Sequence, residues 1–464
     1  MSQTPDKVYS RTALYFILAG GFALKLLYLF VVGPVFFGDR LFINADSYSY
    51  TDAIKNLIHH GAYTHDLQYP PASFGRLPAV SFIWGFFYLL AGSKAYLCFA
   101  VFQSALDVFA GVLVFRIVNK YYDAQVALWV VVVYCLFPLT AFFAAHTSAE
   151  YLAAFVVVYV FYKLVFFGGR LKDYISLGIL LVFGFYVREI LLLLIPIAVI
   201  YVWKNFGINF RFNLVTLFVM FLLYLPWPVR NYMNSGKIIL LKPYSSGYPE
   251  FQDDMLSYMF WLYSWHDGDP DEYLEYSFHL DKTVQFPEEI FSNAYEKKLA
   301  YDLVRLAQHC GASFIVWQRG AEWEHKNHSC DHTQLISRGF DLLKNNYKMN
   351  HPFIYYIKVP LLNLRKAFFK SSLKNKQNVN SPMFVMAMIF RSLMLFVGII
   401  ACIIKWRIDF FKACLFFFVI IYFVICFILR QVEMRYLYQA DILMLIAATA
   451  YIADLFRKKI IRIS

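Results

Sequence analysis

Long apolar runs recur along this chain of 464 residues, and most of the gaps between them are short and basic. A run of about 20 apolar residues spans one bilayer at helical rise. Out of water every backbone N–H and C=O must be satisfied within the fold, so runs that lack period-two alternation become membrane-spanning helices. They are Thr12 to Val32, Leu77 to Ala91, Ala95 to Phe115, Ala124 to Ala145, Tyr151 to Phe167, Tyr174 to Val187, Ile190 to Trp203 and Phe212 to Val229. After a long polar interval come Met383 to Ile404, Ala413 to Leu429 and Leu437 to Leu455. Only 16% of residues are charged, against about 25% in a soluble domain. The chain therefore reads as an all-α polytopic membrane protein with about 10 or 11 crossings.

Charge orients these helices. The chain holds 43 Lys and Arg against 31 Asp and Glu, yet the interval Arg230 to Asn350 carries 12 against 17. The positive excess belongs to the hydrophobic part, a pattern of cytoplasmic loops and not of a nucleic-acid surface. Five gaps are basic: Arg116/Lys120, Arg170/Lys172, Lys204/Arg211, Lys405/Arg407/Lys412 and the tail Arg457, Lys458, Lys459 and Arg462. Placing these inside puts Phe36 to Arg76, His146 to Glu150, Arg188-Glu189, Arg230 to Pro382 and Arg430 to Arg435 outside. Both termini are then cytoplasmic if Leu77 to Ala91, short for a span, adds no crossing. The first run, with Lys7 and Arg11 before it and no small-residue cleavage site after it, reads as an uncleaved signal anchor, expected in a bacterial inner membrane. Three regions follow: 1–229, an N-terminal transmembrane module with the first outer loop 34–76; 230–382, an outer cap; and 383–464, the last transmembrane helices.

Residues with chemistry concentrate in the outside set. The first loop carries Asn44-Ala-Asp46-Ser-Tyr48, and Ile54, Leu57 and Ile58 behind it recur at helical spacing, so Asp46 to His59 reads as an amphipathic interfacial helix. Asp46 begins it, either as an N-cap or as a working carboxylate. Asn56-Leu57, Gly61-Ala-Tyr63 and Gly75-Arg76-Leu77-Pro78 follow. Ser148-Ala-Glu150 opens an apolar helix. Gly184-Phe-Tyr-Val-Arg188 leads into Glu189, where short flanking runs sink an Arg-Glu pair toward the bilayer; such a pair is either structural or functional. Pro226-Trp227-Pro-Val-Arg230-Asn231-Tyr232 ends one span, and Glu433-Met-Arg435-Tyr436 begins the last.

In this order, and on one side, these motifs resemble those of the GT-C membrane glycosyltransferases. The resemblance is to the subgroup of protein mannosyltransferases, lipid A aminoarabinose transferases and related enzymes that use polyprenyl-phosphate sugars. It covers most of the chain; Pro226 to Tyr232 is its most specific part, and Glu189 departs from the family's usual Pro. It implies a GT-C type helix bundle with a partly helical loop domain on the outer face. It also implies inverting transfer of a sugar from an undecaprenyl-phosphate type carrier to a hydroxyl of a glycan, lipid or protein acceptor. The sidedness came from Lys and Arg alone, so the outward placement of every matched motif is an independent agreement.

The residue types suit that reaction. A carboxylate beside the acceptor hydroxyl can take its proton; Asp46 is the candidate base and Glu150 the second catalytic carboxylate. Guanidinium groups bind phosphate in bidentate geometry and stabilise the leaving charge. Arg230, Arg435, Arg188 and Arg76 are candidates, in that order. Tyr48, His146, Glu189, Asn231, Tyr232 and Tyr436 complete the expected site. Lys358 and Arg365, in amphipathic Phe353 to Lys370, either receive anionic lipid phosphate or form a solvated basic face. His146 and Glu150, four apart, can join Asp46 around a divalent metal, though without zinc spacing.

Other signals fail. Asp267-Gly-Asp269-Pro-Asp271 begins like a calcium loop, but Glu272 takes the glycine position and Phe278 the terminal acid. There is no Walker loop or dinucleotide fingerprint. Cys310 and Cys330 lie in the cap, where an oxidising exterior permits a disulfide. Two other readings compete. One is a polymerase or ligase that moves whole oligosaccharides from polyprenyl diphosphate. The other is a lipid-linked sugar transporter, for which Arg188-Glu189 and broken helices speak but no internal repeat does.

Overall fold

The computed structural model describes residues 5–43, 45–207, 210–241, 247–267, 270–279, 282–320, 330–369 and 382–463. Asn44, Asp269 and Lys370 lie outside the described residues. Among the described residues every regular element is a helix. Seven helices are long and apolar enough to cross a membrane, or eight if the pair Ala124–Leu136 and Pro138–Ala145, bent by 50°, counts as one. These make the chain an integral membrane protein.

Shorter and broken helices stand beside these. Pro138 has no N–H to donate and breaks one run. Arg188, in extended backbone, breaks another before the 3-10 turn Glu189–Leu193. Ala149–Val165 and Leu171–Val187 have 17 residues each, about 25 Å of helix, at the lower end of what spans a bilayer. Pro78–Ala91 and Ala95–Tyr121 form a hairpin turned at Gly92, with Trp84 against Tyr96 (5.0 Å) and Phe87 against Phe102 (5.3 Å).

Helices in lipid gain little hydrophobic energy by meeting one another, so close packing and polar ties hold them. Pro382–Ile404 approaches Met434–Ile463 at Gly398, where a Cβ would lie 2.6 Å from the Met444 carbonyl oxygen. The strongest ties are two ion pairs buried inside apolar runs that the sequence reading passed over. Lys25 pairs with Asp107 at 2.7 Å, both at most 2% exposed. Lys25 also donates to Thr140 (2.8 Å), while the Tyr134 and Tyr151 hydroxyls donate to Asp107 at 2.7 and 3.0 Å. Arg391 pairs with Asp441 at 2.7 Å, donates to Tyr422, and caps the Ala367 carbonyl at 2.8 Å. Breaking such a pair strands a buried charge, at about 3–5 kcal/mol. Asp107→Asn should therefore lower thermal stability in detergent sharply, and Lys25→Met with Asp107→Leu should recover most of the loss. Equal losses in the single and double variants would count against this account.

Residues of the long polar interval build a second core at one end of the bundle, around Met255, Tyr258, Leu262, Phe314, Ile336 and Phe340. Cys310 and Cys330 are joined in a disulfide within it. Arg430 fastens this cap to the bundle. Its guanidinium donates to the Tyr263 (3.1 Å) and Tyr355 (2.6 Å) carbonyls and lies 3.8 Å from the Tyr355 ring centroid. Its backbone is left-handed, φ +59°, alone among the described non-glycine residues. That conformation costs of order 1 kcal/mol and persists where surrounding contacts enforce it. Lys366, on helix Val359–Phe369, adds an ion pair to Asp267 at 2.9 Å.

Candidate active site

Five helix ends or breaks converge beneath the cap. Asp46 lies in the first turn of Ala45–His60, Arg76 just before Pro78–Ala91, and Glu150 in the first turn of Ala149–Val165. Arg188 ends Leu171–Val187, and Arg435 opens Met434–Ile463. Helix ends leave backbone groups unpaired and side chains free to point along the axis, so charged residues gather there at low cost. All five line one cavity of about 610 Å³.

Asp46 sits between two arginines. Its Oδ1 accepts from Arg76 Nη2 at 2.6 Å, and its Oδ2 pairs with Arg435 Nη1. Arg76 is held in turn by Ser49 Oγ (2.5 Å) and the Tyr248 hydroxyl (3.1 Å), with its guanidinium carbon 4.7 Å from the Tyr50 ring centroid. Arg435 Nε also pairs with Glu433 at 2.5 Å. Arg188 reaches Glu150 Oε1 at 3.4 Å and the Arg435 carbonyl at 3.2 Å, 4.7 Å from the Tyr436 ring centroid. Among the described residues Glu150 Oε2 is buried without a hydrogen-bond partner. Burial alone would raise the Asp46 pKa, but Arg435 and Arg76 outweigh it and hold the carboxyl well below the usual carboxylate range. In this state Asp46 is a counter-ion with suppressed basicity.

The wall also holds aliphatic residues, among them Leu192, Leu193, Leu241, Val424, Ile425 and Leu429. The last three belong to a π-helical turn, Val424–Leu429, that ends at Arg430. Such turns widen a helix locally and are frequent at functional sites.

The predicted residues divide. Asp46, Arg76, Glu150, Arg188, Glu189, Arg435 and Tyr436 line the cavity. Arg230, the first-ranked phosphate ligand, does not. Its guanidinium donates to the Ser73 (2.6 Å) and Tyr63 (2.5 Å) carbonyls and stacks near Trp227, bracing the first loop behind Arg76. Asn231 is buried beside it and donates to the Ile239 carbonyl at 2.9 Å. Tyr232 and Tyr48 are 56% and 53% exposed and line no part of the cavity. Lys358 and Arg365 are exposed on the helical segment that follows the cap core. Arg230→Ala should thus cost about 1–3 kcal/mol of stability by stranding two carbonyls. A variant of unchanged melting temperature but weakened donor binding would return Arg230 to the phosphate role.

The metal set is not assembled. His146 bonds the Phe142 carbonyl through Nδ1 at 2.8 Å, and burial pushes its imidazole pKa down. Glu150 and Asp46 face arginines instead. Among the described residues no three His, Cys, Asp or Glu side chains come together as metal ligands, so these residues do not fit a bound ion.

Sequence reasoning missed Tyr50, Ser148, Tyr248 and Gln431 in the wall. Tyr248 had a faint signal in the Gly247-Tyr-Pro turn. Gly247 has φ +73°, and a Cβ there would lie 2.5 Å from the Pro71 carbonyl oxygen, so only glycine lets this turn of the cap lie on the first loop.

No protein-family model matches the chain, and no curated protein matches it in sequence. Solved structures do. The archaeal oligosaccharyltransferase AglB from Archaeoglobus fulgidus, in complex with an inhibitory peptide and a dolichol-phosphate, aligns with a TM-score of 0.50 at 12% identity. The alignment covers 98% of this chain and 51% of AglB, so the chain spans about half the length of that protein. ArnT from Cupriavidus metallidurans, bound to undecaprenyl phosphate, gives 0.40 at 12% identity, over 95% of this chain and 77% of ArnT. Both are GT-C membrane glycosyltransferases. The chain has the GT-C fold, as its motifs lead one to expect.

Proposed function

We propose that this chain is a membrane glycosyltransferase that moves a sugar from a polyprenyl-phosphate donor to an acceptor hydroxyl at the outer face of the membrane, with inversion. The observation that carries this reading is one cavity lined by three arginines, three carboxylates and several aliphatic side chains. Arg76, Arg188 and Arg435 suit a lipid phosphate, which guanidinium groups bind by paired charge-assisted bonds. The prenyl chain lies along Leu192, Leu193, Val424, Ile425 and Leu429, because a lipid tail gains nothing by leaving an apolar wall. The outer-face assignment rests on the Lys and Arg bias of the gaps.

Donor phosphate and Asp46 compete for the same two guanidiniums. As phosphate draws Arg76 and Arg435 toward itself, Asp46 loses the charges that suppress its basicity and becomes a better proton acceptor. It then takes the acceptor hydroxyl proton while that oxygen bonds the anomeric carbon. The bond from that carbon to the phosphate oxygen breaks on the opposite side, and the arginines stabilise the phosphate charge that develops. Glu150 Oε2 is placed to accept a second hydroxyl and orient the acceptor.

The test is turnover of radiolabelled polyprenyl-phosphate sugars by the purified protein in detergent, with release by hydrolysis counted when no acceptor is present. Turnover of at least one donor is expected. Folded protein that turns over none, but accepts an oligosaccharide on polyprenyl diphosphate, would replace this reading with the polymerase or ligase one.

A further inference from the structure

A second cavity, of about 760 Å³, lies in the cap beside the first, and Phe251, Met259 and Gln431 belong to the walls of both. Trp317 stands in its wall. The indole N–H donates to the Glu250 carbonyl at 3.1 Å. Phe278 stacks on the ring, 5.0 Å away and within 3° of parallel, and Phe251 meets it nearly edge-on at 6.0 Å. Trp317 is nevertheless 47% exposed. A large aromatic ring is thus held in angle by its neighbours while nearly half of it stays exposed, so binding there would order little that the fold has not already ordered.

Around this platform stand Asp271, Glu275, His279 and Gln318. Carboxylates accept hydrogen bonds in pairs, amides both donate and accept, and imidazole does either. A pyranose ring requires that combination. Its C–H face packs on an aromatic plane, while its rim of hydroxyls needs donors and acceptors at fixed spacing. An extended peptide would instead pair its backbone with a sheet edge, and no strand exists among the described residues.

The two cavities are also wired together. Gln431 Nε2 donates to Glu433 Oε1 at 3.0 Å, Glu433 pairs with Arg435, and Arg435 pairs with Asp46. A ligand in the cap cavity that passes one hydroxyl across the shared wall enters the cavity that Asp46 lines.

We infer that the cap cavity binds a short saccharide chain and that this saccharide is the acceptor, so that the enzyme extends a glycan. The word acceptor rests on the transferase reading; the binding does not. The test applies the full-length protein in lipid nanodiscs, without donor, to arrays of neutral oligosaccharides and of peptides. Oligosaccharide binding is expected, falling about tenfold in Trp317→Ala, the scale of one aromatic contact, and largely kept in Trp317→Phe. Gln318→Ala should weaken it to a smaller degree, and serves if Trp317→Ala does not fold. Binding to peptides in place of saccharides, saccharide binding indifferent to Trp317 and Gln318, or no binding by folded protein would each overturn the inference. Donor hydrolysis measured on the same preparation separates the two readings. Saccharide binding without donor turnover keeps the cavity and sinks the transferase, and turnover without saccharide binding does the reverse.

Discussion

Asp46→Asn is expected to reduce sugar transfer by about 10²–10⁴-fold, the range lost with a general base, while undecaprenyl phosphate binds at least as tightly as before. The two halves of this result have one cause. Asp46 bridges Arg76 and Arg435, so as the proposed base it is also the phosphate's rival. The amide keeps the shape, cannot accept the proton, and releases both guanidiniums to the ligand. The same competition sets a pH signature. In the free enzyme the arginines hold the Asp46 carboxyl well below the usual range; bound phosphate offsets their charge and raises it. The acid limb of kcat, which reports the complex, should therefore lie at higher pH than that of kcat/KM, which reports the free enzyme. Coincident acid limbs, or near-normal turnover by a folded Asp46→Asn protein, would remove Asp46 from the base role. Weaker phosphate binding would mean that Asp46 preorganises the arginines.

Much of this was legible in the chain because it depends on local rules. Apolar runs dictate helices wherever the solvent is lipid, and the extended Arg188 between two short runs announces a broken helix. Asp46, Glu150, Arg188 and Arg435 could be singled out because each sits at a helix start or break next to its apolar run. What escaped depends on pairings across the chain. Lys25 and Asp107 are isolated charges in separate runs, and only the packed bundle places them 2.7 Å apart. Arg76 was ranked last and Arg230 first, since both face outward beside aromatic residues. Their order reverses because Arg230 finds the Ser73 and Tyr63 carbonyls, while Arg76 finds Asp46 and Tyr248. A motif's specificity in sequence measures constraint, and at Pro226 to Tyr232 the constraint is the brace of a loop. Hydropathy finds the runs, while Pro138, Gly92 and Arg188 decide where each run turns.

Arg435 is the arginine whose loss should be felt most. It alone touches Asp46, Glu433 and the Arg188 side chain through its carbonyl. It therefore joins Asp46, the Glu433 that bonds Gln431 in the wall shared by the two cavities, and Arg188. Arg435→Ala should reduce kcat/KM by about 10²–10³-fold, the scale of one lost oxyanion donor, with most of the loss in kcat, because the charge on the leaving phosphate is largest in the transition state. Arg435→Lys should recover only part of it: the ammonium restores charge but cannot bridge two oxygens in a plane. Arg76→Lys should behave alike but less severely, since Ser49 and Tyr248 share its load. A loss in KM alone would mean that Arg435 anchors the donor without acting on the departing phosphate. Full rescue by lysine would mean that charge, and not the two-pronged geometry, is what the site requires.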